Sequence, residues 1–235
     1  MLIWLPFIAL GYLAGSIPFG LLIARMRGVD IRQHGSGNIG ATNVARVMGK
    51  RLGLACFILD VLKGFLPTLI AGMVVRGVDL AILAQPIEMT MNSWMWMAVM
   101  ASTILGHMYS PWLGFRGGKG VATGLGAMLG VFPYLTFPAV AAALVWLLFC
   151  CVWRYVSLAS CAAAVALPLL VFGWGALANR LEGNARASLI PEGFWPFVLV
   201  TGVMAGLVVY RHRGNIRRLI AGTESRIGRR VSTVR

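Results

Sequence analysis

The chain has 235 residues, 59% of them hydrophobic and only 12% charged, with a mean hydropathy of +0.81. A soluble domain carries roughly 25% charged residues, so this composition excludes a water-soluble core. The formal net charge of +14 would point to nucleic acid in a soluble chain, but in a membrane chain it first reflects the enrichment of Lys and Arg in cytoplasmic loops.

The apolar stretches are continuous, unlike the alternating segments of a membrane barrel. Backbone in lipid must satisfy its own hydrogen bonds, so they predict α-helices. The expected fold class is all-α: one polytopic domain over 1–235, with seven spans near 2–24, 52–75, 93–110, 120–134, 137–153, 156–178 and 194–210. The first stretch has no charge through Ala24 and its basic residues come after it. A signal peptide has the opposite order, so a retained span is expected, with the N-terminus outside.

The second span is apolar except for Asp60 and Lys63. Ionisable groups inside a bilayer are costly and mark function by default. Three residues apart they share a helical face, and the expectation is that they pair and organise a site. Between Lys119 and Arg154 the chain is charge-free, long for one span and short for two. Pro133 and Pro138 near its middle predict a turn between spans four and five.

Charge supports this layout. Segments 25–51, 111–119, 154 and 211–235, inside on this reading, hold 6, 2, 1 and 8 Lys or Arg, against 1 and 2 in the outer segments 76–92 and 179–193. A single span over 120–153 would export the C-terminal arginines, against the positive-inside bias. Trp4, Trp94, Trp96, Trp112, Trp153, Trp174 and Trp195 fall near span ends, as interfacial tryptophans do. Cys56, Cys150, Cys151 and Cys161 all lie in apolar runs without metal-ligand spacing and read as packing residues.

Three polar segments carry candidate chemistry. The first is H-G-S-G-N-I-G-A-T-N at 34–43, followed by Arg46. Gly35, Gly37 and Gly40 let backbone N–H groups approach an anion. Ser36, Asn38, Thr42 and Asn43 add neutral donors, and Arg46 adds a planar fork suited to phosphate. The same glycines match G-x-G-x-x-G, but neither flank reads as a strand, which removes a dinucleotide site.

The second segment, 106–123, contains G-G-K-G at 117–120. Lys119 flanked by Gly117, Gly118 and Gly120 at the start of a helix combines a full charge with a helix N-terminus. Val121 stands where a Walker A loop needs Ser or Thr. His107 lies at a span end, where a structural hydrogen bond and a reactive role are equally open. The third segment, from Tyr210 to Arg226, places His212 and Asn215 three apart on a helical face, with Glu224 beyond. His212 beside the basic cluster is able to act as base, donor or phosphate contact. Ser157 and Ser160 after Arg154 either line the inner end of the sixth span or pack as small residues.

Together G-S-G-N-I-G-A-T-N at 35–43, D-V-L-K-G at 60–64, G-G-K-G at 117–120, R-Y-V-S-L at 154–158 and H-R-G-N-I-R-R-L-I-A-G-T-E at 212–224 resemble the bacterial acyl-phosphate:glycerol-3-phosphate acyltransferase family, PlsY. The resemblance covers essentially the whole chain; Ile39 departs from it where many members have proline. It implies a seven-helix bundle in the cytoplasmic (inner) membrane, with the active site and the C-terminus in the cytoplasm. The implied reaction moves a fatty acyl group from acyl phosphate to the 1-hydroxyl of sn-glycerol 3-phosphate, giving lysophosphatidic acid and phosphate. Neither acyl-CoA nor acyl-carrier protein is then the direct donor.

By motif position Ser36, Arg46, Lys119, His212 and Asn215 are the first candidates for substrate contact and catalysis. Asn38, Thr42, Asn43, Ser157 and Glu224, together with Gly35, Gly37, Gly40, Gly117, Gly118 and Gly120, are the binding candidates, with Asp60, Lys63 and His107 supporting. No metal or cofactor and no obligate protein partner is expected; the partners are the two substrates and membrane lipid. No histidine is followed by the His-x4-Asp spacing of CoA-dependent acyltransferases, so either a substrate phosphate or His212 takes the hydroxyl proton. A transporter for an organic phosphate is the competing class. It would place polar groups near the midplane and often contain inverted repeats, and no repeat is visible.

Overall fold

The computed structural model describes residues 2–76, 91–181, 189–190 and 192–228. Most of the outer segments 76–92 and 179–193 lie outside these residues, as do Arg229, Arg230 and Arg235. Among the described residues every regular element is a helix. The α-helices are α1 (Trp4–Ser16), α2 (Phe19–Arg25), α3 (Ala41–Met48), α4 (Lys50–Arg76), α5 (Met91–Met108), α6 (Val121–Gly130), α7 (Thr136–Trp153), α8 (Val156–Leu181), α9 (Trp195–Arg211) and α10 (Arg213–Ile220).

Four helical stretches are long and apolar enough to cross a membrane: Trp4–Arg25, Lys50–Val74, Thr136–Trp153 and Val156–Leu181. The pair α9 and α10, bent by 56°, makes a fifth if taken as one. Their outer faces carry exposed Val140, Leu144, Leu148 and Val152 on α7 and Val165 and Leu169 on α8, an apolar surface that fits lipid rather than water. Helix α5 is more polar because it is the core: Ser93, Ser102, Thr103 and His107 are buried with Trp96, Met97, Met100 and Met108.

The expected first span is broken. Pro18 cannot donate to the helical ladder, and α1 ends at Ser16 while α2 begins at Phe19. The carbonyls released at the break find partners elsewhere. Ser110 Oγ donates to Ser16 O (2.7 Å) and Lys63 Nζ donates to Ile17 O (2.7 Å). Lys63 also pairs with Asp60 at 2.6 Å, both side chains 3% exposed. The intramembrane pair therefore holds the break in α1–α2 against α4.

The expected fourth span is corrected. Helix α6 has ten residues, about 15 Å at 1.5 Å per residue, half of a roughly 30 Å hydrocarbon core. It stops at Gly130, and the chain turns through 131–135 before α7. Its close approach to α4 explains the glycines: a Cβ on Gly126 would lie 1.9 Å from Val61 O, and one on Gly64 would lie 2.2 Å from Thr123 O. Such small-residue contacts are how helices associate in lipid.

Candidate active site

One cavity of 680 Å³ unites the three polar segments. Its polar end is formed by Gly35, Ser36, Asn38, Gly40, Thr42, Asn43, Arg46, Lys119, Gly120, Ser157, His212, Asn215, Arg218 and Glu224. Its apolar walls come from α6, α7, α8 and α9, among them Leu125, Met128, Ala142, Ala143, Trp146, Ala163, Ala164, Leu167, Met204 and Val208. Asp60 and His107 also reach it, while Lys63, Gly37, Gly117 and Gly118 stand behind its wall.

The first segment is wound around Asn43, which is 2% exposed. Its Nδ2 donates to the carbonyls of His34 and Asn38 (both 2.9 Å) and Ile31 (3.3 Å), and its Oδ1 accepts from Ser36 N–H (2.8 Å). Both amide ends are thus used inside the loop. Asn43 shapes the site and has little left for a ligand. Asn38 Oδ1 accepts Gly40 N–H at 2.8 Å, a turn that delivers the chain into α3. Gly35 and Gly37 have φ of +62° and +68°, values that favour glycine. Arg46, in the last turn of α3, lines the cavity with no hydrogen bond or ion pair among the described residues.

The second segment differs from its sequence reading. Gly117 and Gly118 do not offer their N–H groups to the cavity; these donate to Met108 O and His107 O at 3.0 Å. Glycine is required because a Cβ would lie 2.0 Å from His107 O at position 117 and 2.1 Å from His107 Nε2 at position 118. Gly120, at φ +81°, caps α6 and does line the cavity. Lys119 projects into the cavity and donates to Asn215 Oδ1. Burial lowers its ammonium to about 8; Glu224 opposes that fall, and Arg218 and Arg46 add to it.

The third segment closes the site. His212 sits at the α9–α10 bend, 2% exposed. Its Nδ1 lies 2.8 Å from Val208 O. A carbonyl only accepts, so Nδ1 carries the hydrogen and Nε2 keeps a free lone pair. Asn215 Nδ2 donates to Glu224 Oε1 (2.6 Å), Ser157 Oγ donates to the same oxygen (2.8 Å), and Arg218 Nε donates to Oε2 (2.8 Å). Burial raises the Glu224 carboxyl, but the bonds from Asn215, Ser157 and Arg218 outweigh it and leave its pKa below the usual range. The arm beyond α10 is fixed by Ile227 N–H to Arg154 O (2.8 Å) and Arg154 Nη2 to Ile227 O (3.1 Å). Arg226 Nε donates to Tyr155 OH at 3.0 Å.

Sequence reasoning missed Arg218 as a wall of the site, because the positive-inside bias already accounted for it. It also missed the small residues Ala142, Ala143, Ala163 and Ala164, whose absent bulk makes the apolar slot; alanines in an apolar run give no distinguishing signal. His107, left open earlier, lies 3.8 Å from Asp60 Oδ1 through Nδ1 and against Gly118 through Nε2. It buttresses the Lys119 loop.

The chain matches the family model described as glycerol-3-phosphate acyltransferase over residues 5–222. It is 42% identical over 215 residues to a glycerol-3-phosphate acyltransferase of Aquifex aeolicus, covering 92% of this chain and 94% of that protein. It is 44% identical over 216 residues to one of Geotalea daltonii, covering 91% and 92%. Among solved structures it resembles crystal forms of PlsY, an integral membrane glycerol 3-phosphate acyltransferase. The glycerol 3-phosphate form has a TM-score of 0.72 at 40% identity and 96% coverage of both chains. The lysophosphatidic acid form has a TM-score of 0.70 at 39% identity, covering 96% of this chain and 95% of that one. On a family match of this extent and relatives at this identity, the chain belongs to the glycerol-3-phosphate acyltransferase family.

Proposed function

We propose that this protein transfers a fatty acyl group from acyl phosphate to the 1-hydroxyl of sn-glycerol 3-phosphate, in phospholipid synthesis at the bacterial inner membrane. The observation that carries the reading is the shape of one cavity. Its polar end holds Lys119, Arg46, Arg218, Ser36 and the α3 N-terminus, and its other walls are apolar. Two phosphates fit the first part and an acyl chain the second. Relatives solved with glycerol 3-phosphate and with lysophosphatidic acid match an acceptor and a product of this reaction.

In this reading glycerol 3-phosphate is held by Arg46, Lys119, the Ser36 loop and His212. The 1-hydroxyl oxygen attacks the acyl carbonyl; an ester C–O bond forms and the C–O bond to phosphate breaks. Phosphate departs with the electron pair and is already a good leaving group, so orientation and charge stabilisation supply most of the rate. A phosphate oxygen accepts the hydroxyl proton, and His212 Nε2 orients the hydroxyl as acceptor. No acyl-enzyme, metal or cofactor enters this scheme, and no protein partner is needed. The arrangement has seven membrane-embedded helices, α6 among them as a half-length one. The N-terminus is outside, and the cavity mouth, the arginine-rich α10 and the C-terminus face the cytosol, as the loop charges favour.

Radiolabelled glycerol 3-phosphate in detergent micelles tests the reading, because transport has no meaning there. Labelled lysophosphatidic acid is expected with acyl phosphate and not with acyl-CoA. Product from acyl-CoA alone, or none from either, would overturn it.

A further inference from the structure

Arg211 closes α9 one residue before His212. It does not line the cavity. Its Nη2 donates to Gly117 O (2.6 Å) and Gly118 O (2.9 Å), and its Nε donates to Gly118 O (3.2 Å). The guanidinium carbon lies 5.5 Å from the centre of the Tyr109 ring. The N–H groups of the same two glycines are held from the other side by Met108 O and His107 O. The Gly117–Gly118 peptide group is therefore held at both ends, and the same guanidinium holds the carbonyl of the next one, which leads into Lys119.

Membrane-face anchoring explains a cation at position 211 but not this geometry. A solvated anchor needs no contact with two consecutive carbonyls, and a lysine would serve as well. The planar fork of arginine reaches both. Lys119 follows these carbonyls directly, and its ammonium crosses to Asn215, one helical turn beyond Arg211 across the α9–α10 bend. The Lys119 loop is thus joined to the His212 segment twice, once through its backbone and once through its lysine tip.

We infer that Arg211 is a positioning residue of the acyl transfer: through Gly117 and Gly118 it sets where the Lys119 ammonium stands relative to His212. The inference rests on the acyltransferase reading above. A misplacement of about 1 Å costs on the order of 100-fold in rate, and that is the loss expected in kcat/KM for glycerol 3-phosphate in Arg211→Met. Arg211→Lys keeps the charge over Tyr109 and one carbonyl contact, and is expected to lose about 10-fold.

The decisive measurement is a cycle with Lys119→Met. If Arg211 acts through Lys119, Arg211→Met costs less than about 3-fold once Lys119 is gone, because coupled residues are not additive. Equal losses in both backgrounds, or Arg211→Met within about 3-fold of wild type, overturn the inference. If Arg211→Met is not recovered folded, Arg211→Lys enters the same cycle. If Lys119→Met turns over too slowly, the cycle is read from radiolabelled glycerol 3-phosphate binding. Failure of the wild-type protein to acylate glycerol 3-phosphate overturns the activity reading; an active wild type with an additive cycle overturns only the positioning role.

Discussion

Lys119 and Asn215, 96 residues apart, meet in a direct hydrogen bond from the ammonium to Oδ1. Asn215 Nδ2 in turn donates to Glu224, which also accepts from Ser157 and Arg218. A lysine on the loop before α6, an asparagine on α10, a serine on α8 and a glutamate beyond α10 thus form one chain of contacts. Its consequence is that the cavity-lining cation is oriented by a carboxylate with which it makes no hydrogen bond.

Cutting this chain should impair turnover without unfolding the bundle. Hydrogen bonds to charged groups contribute about 1.5–3 kcal/mol, and each 1.36 kcal/mol is tenfold in rate. Asn215→Leu and Glu224→Gln are each expected to lower kcat/KM by about 10–100-fold. Their losses should not multiply in the double variant, since the two act in series. Steady-state kinetics of the three variants check this; full additivity would show that they act separately.

Lys119 sets an alkaline limit. Its ammonium, lowered to about 8 by burial, loses its proton as pH rises through that value in the substrate-free enzyme. The kcat/KM profile, which reports free-enzyme groups, should fall above about pH 8. Stability should move the other way. Between about 8 and the ordinary lysine value near 10.4 the unfolded chain holds the proton and the folded chain does not, so stability rises with pH in that window. Lys119→Arg should abolish the alkaline fall, because a guanidinium stays protonated. An unchanged limb in that variant would assign it to another group.

The spans were legible because lipid imposes long runs of apolar residues, and α4, α7, α8 and α9 begin and end within a few residues of their expected limits. Hydropathy is blind to what interrupts an apolar run: the first span stands as Trp4–Arg25, but its break was not foreseen, and the fourth was drawn too long. The break at Pro18 carries no charge to mark it, and the apolar run beyond Gly130 continues through a turn that composition does not reveal. In the site, glycine was the ambiguous letter: Gly120 lines the cavity, while Gly117 and Gly118 clear space for His107. One residue type serves two purposes, and only the neighbours across the fold tell them apart. Arg211 and Arg218 were hidden for a related reason, since the membrane's charge bias already explains arginines at that face.

The buried pair Asp60–Lys63 gives a prediction about stability. Lys63→Met leaves the Asp60 carboxylate buried without its partner and removes the donor to Ile17 O. Breaking a buried pair from one side costs about 3–5 kcal/mol, whereas removing both partners costs far less. Lys63→Met should lower the thermal midpoint in detergent well below that of Asp60→Asn/Lys63→Met. A double variant no more stable than Lys63→Met would show that the lysine matters only through the α1–α2 break.

His212 separates two routes for the hydroxyl proton. With Nδ1–H committed to Val208 O, Nε2 is the nitrogen left to accept, and in the proposed reaction it is equally suited to orienting the hydroxyl or removing its proton. The two roles differ in size. A general base contributes about 10²–10⁴-fold, whereas one lost neutral hydrogen bond of about 0.5–1.5 kcal/mol corresponds to roughly 2–13-fold. With a substrate phosphate taking the proton, His212→Gln should lose about 10-fold or less and keep the acid side of its pH profile. A loss near 10³-fold, with that acid limb gone, would transfer the base to His212. Because damage to the bend between α9 and α10 would lower the rate without removing an acid limb, the magnitude and the pH profile together decide between the two routes.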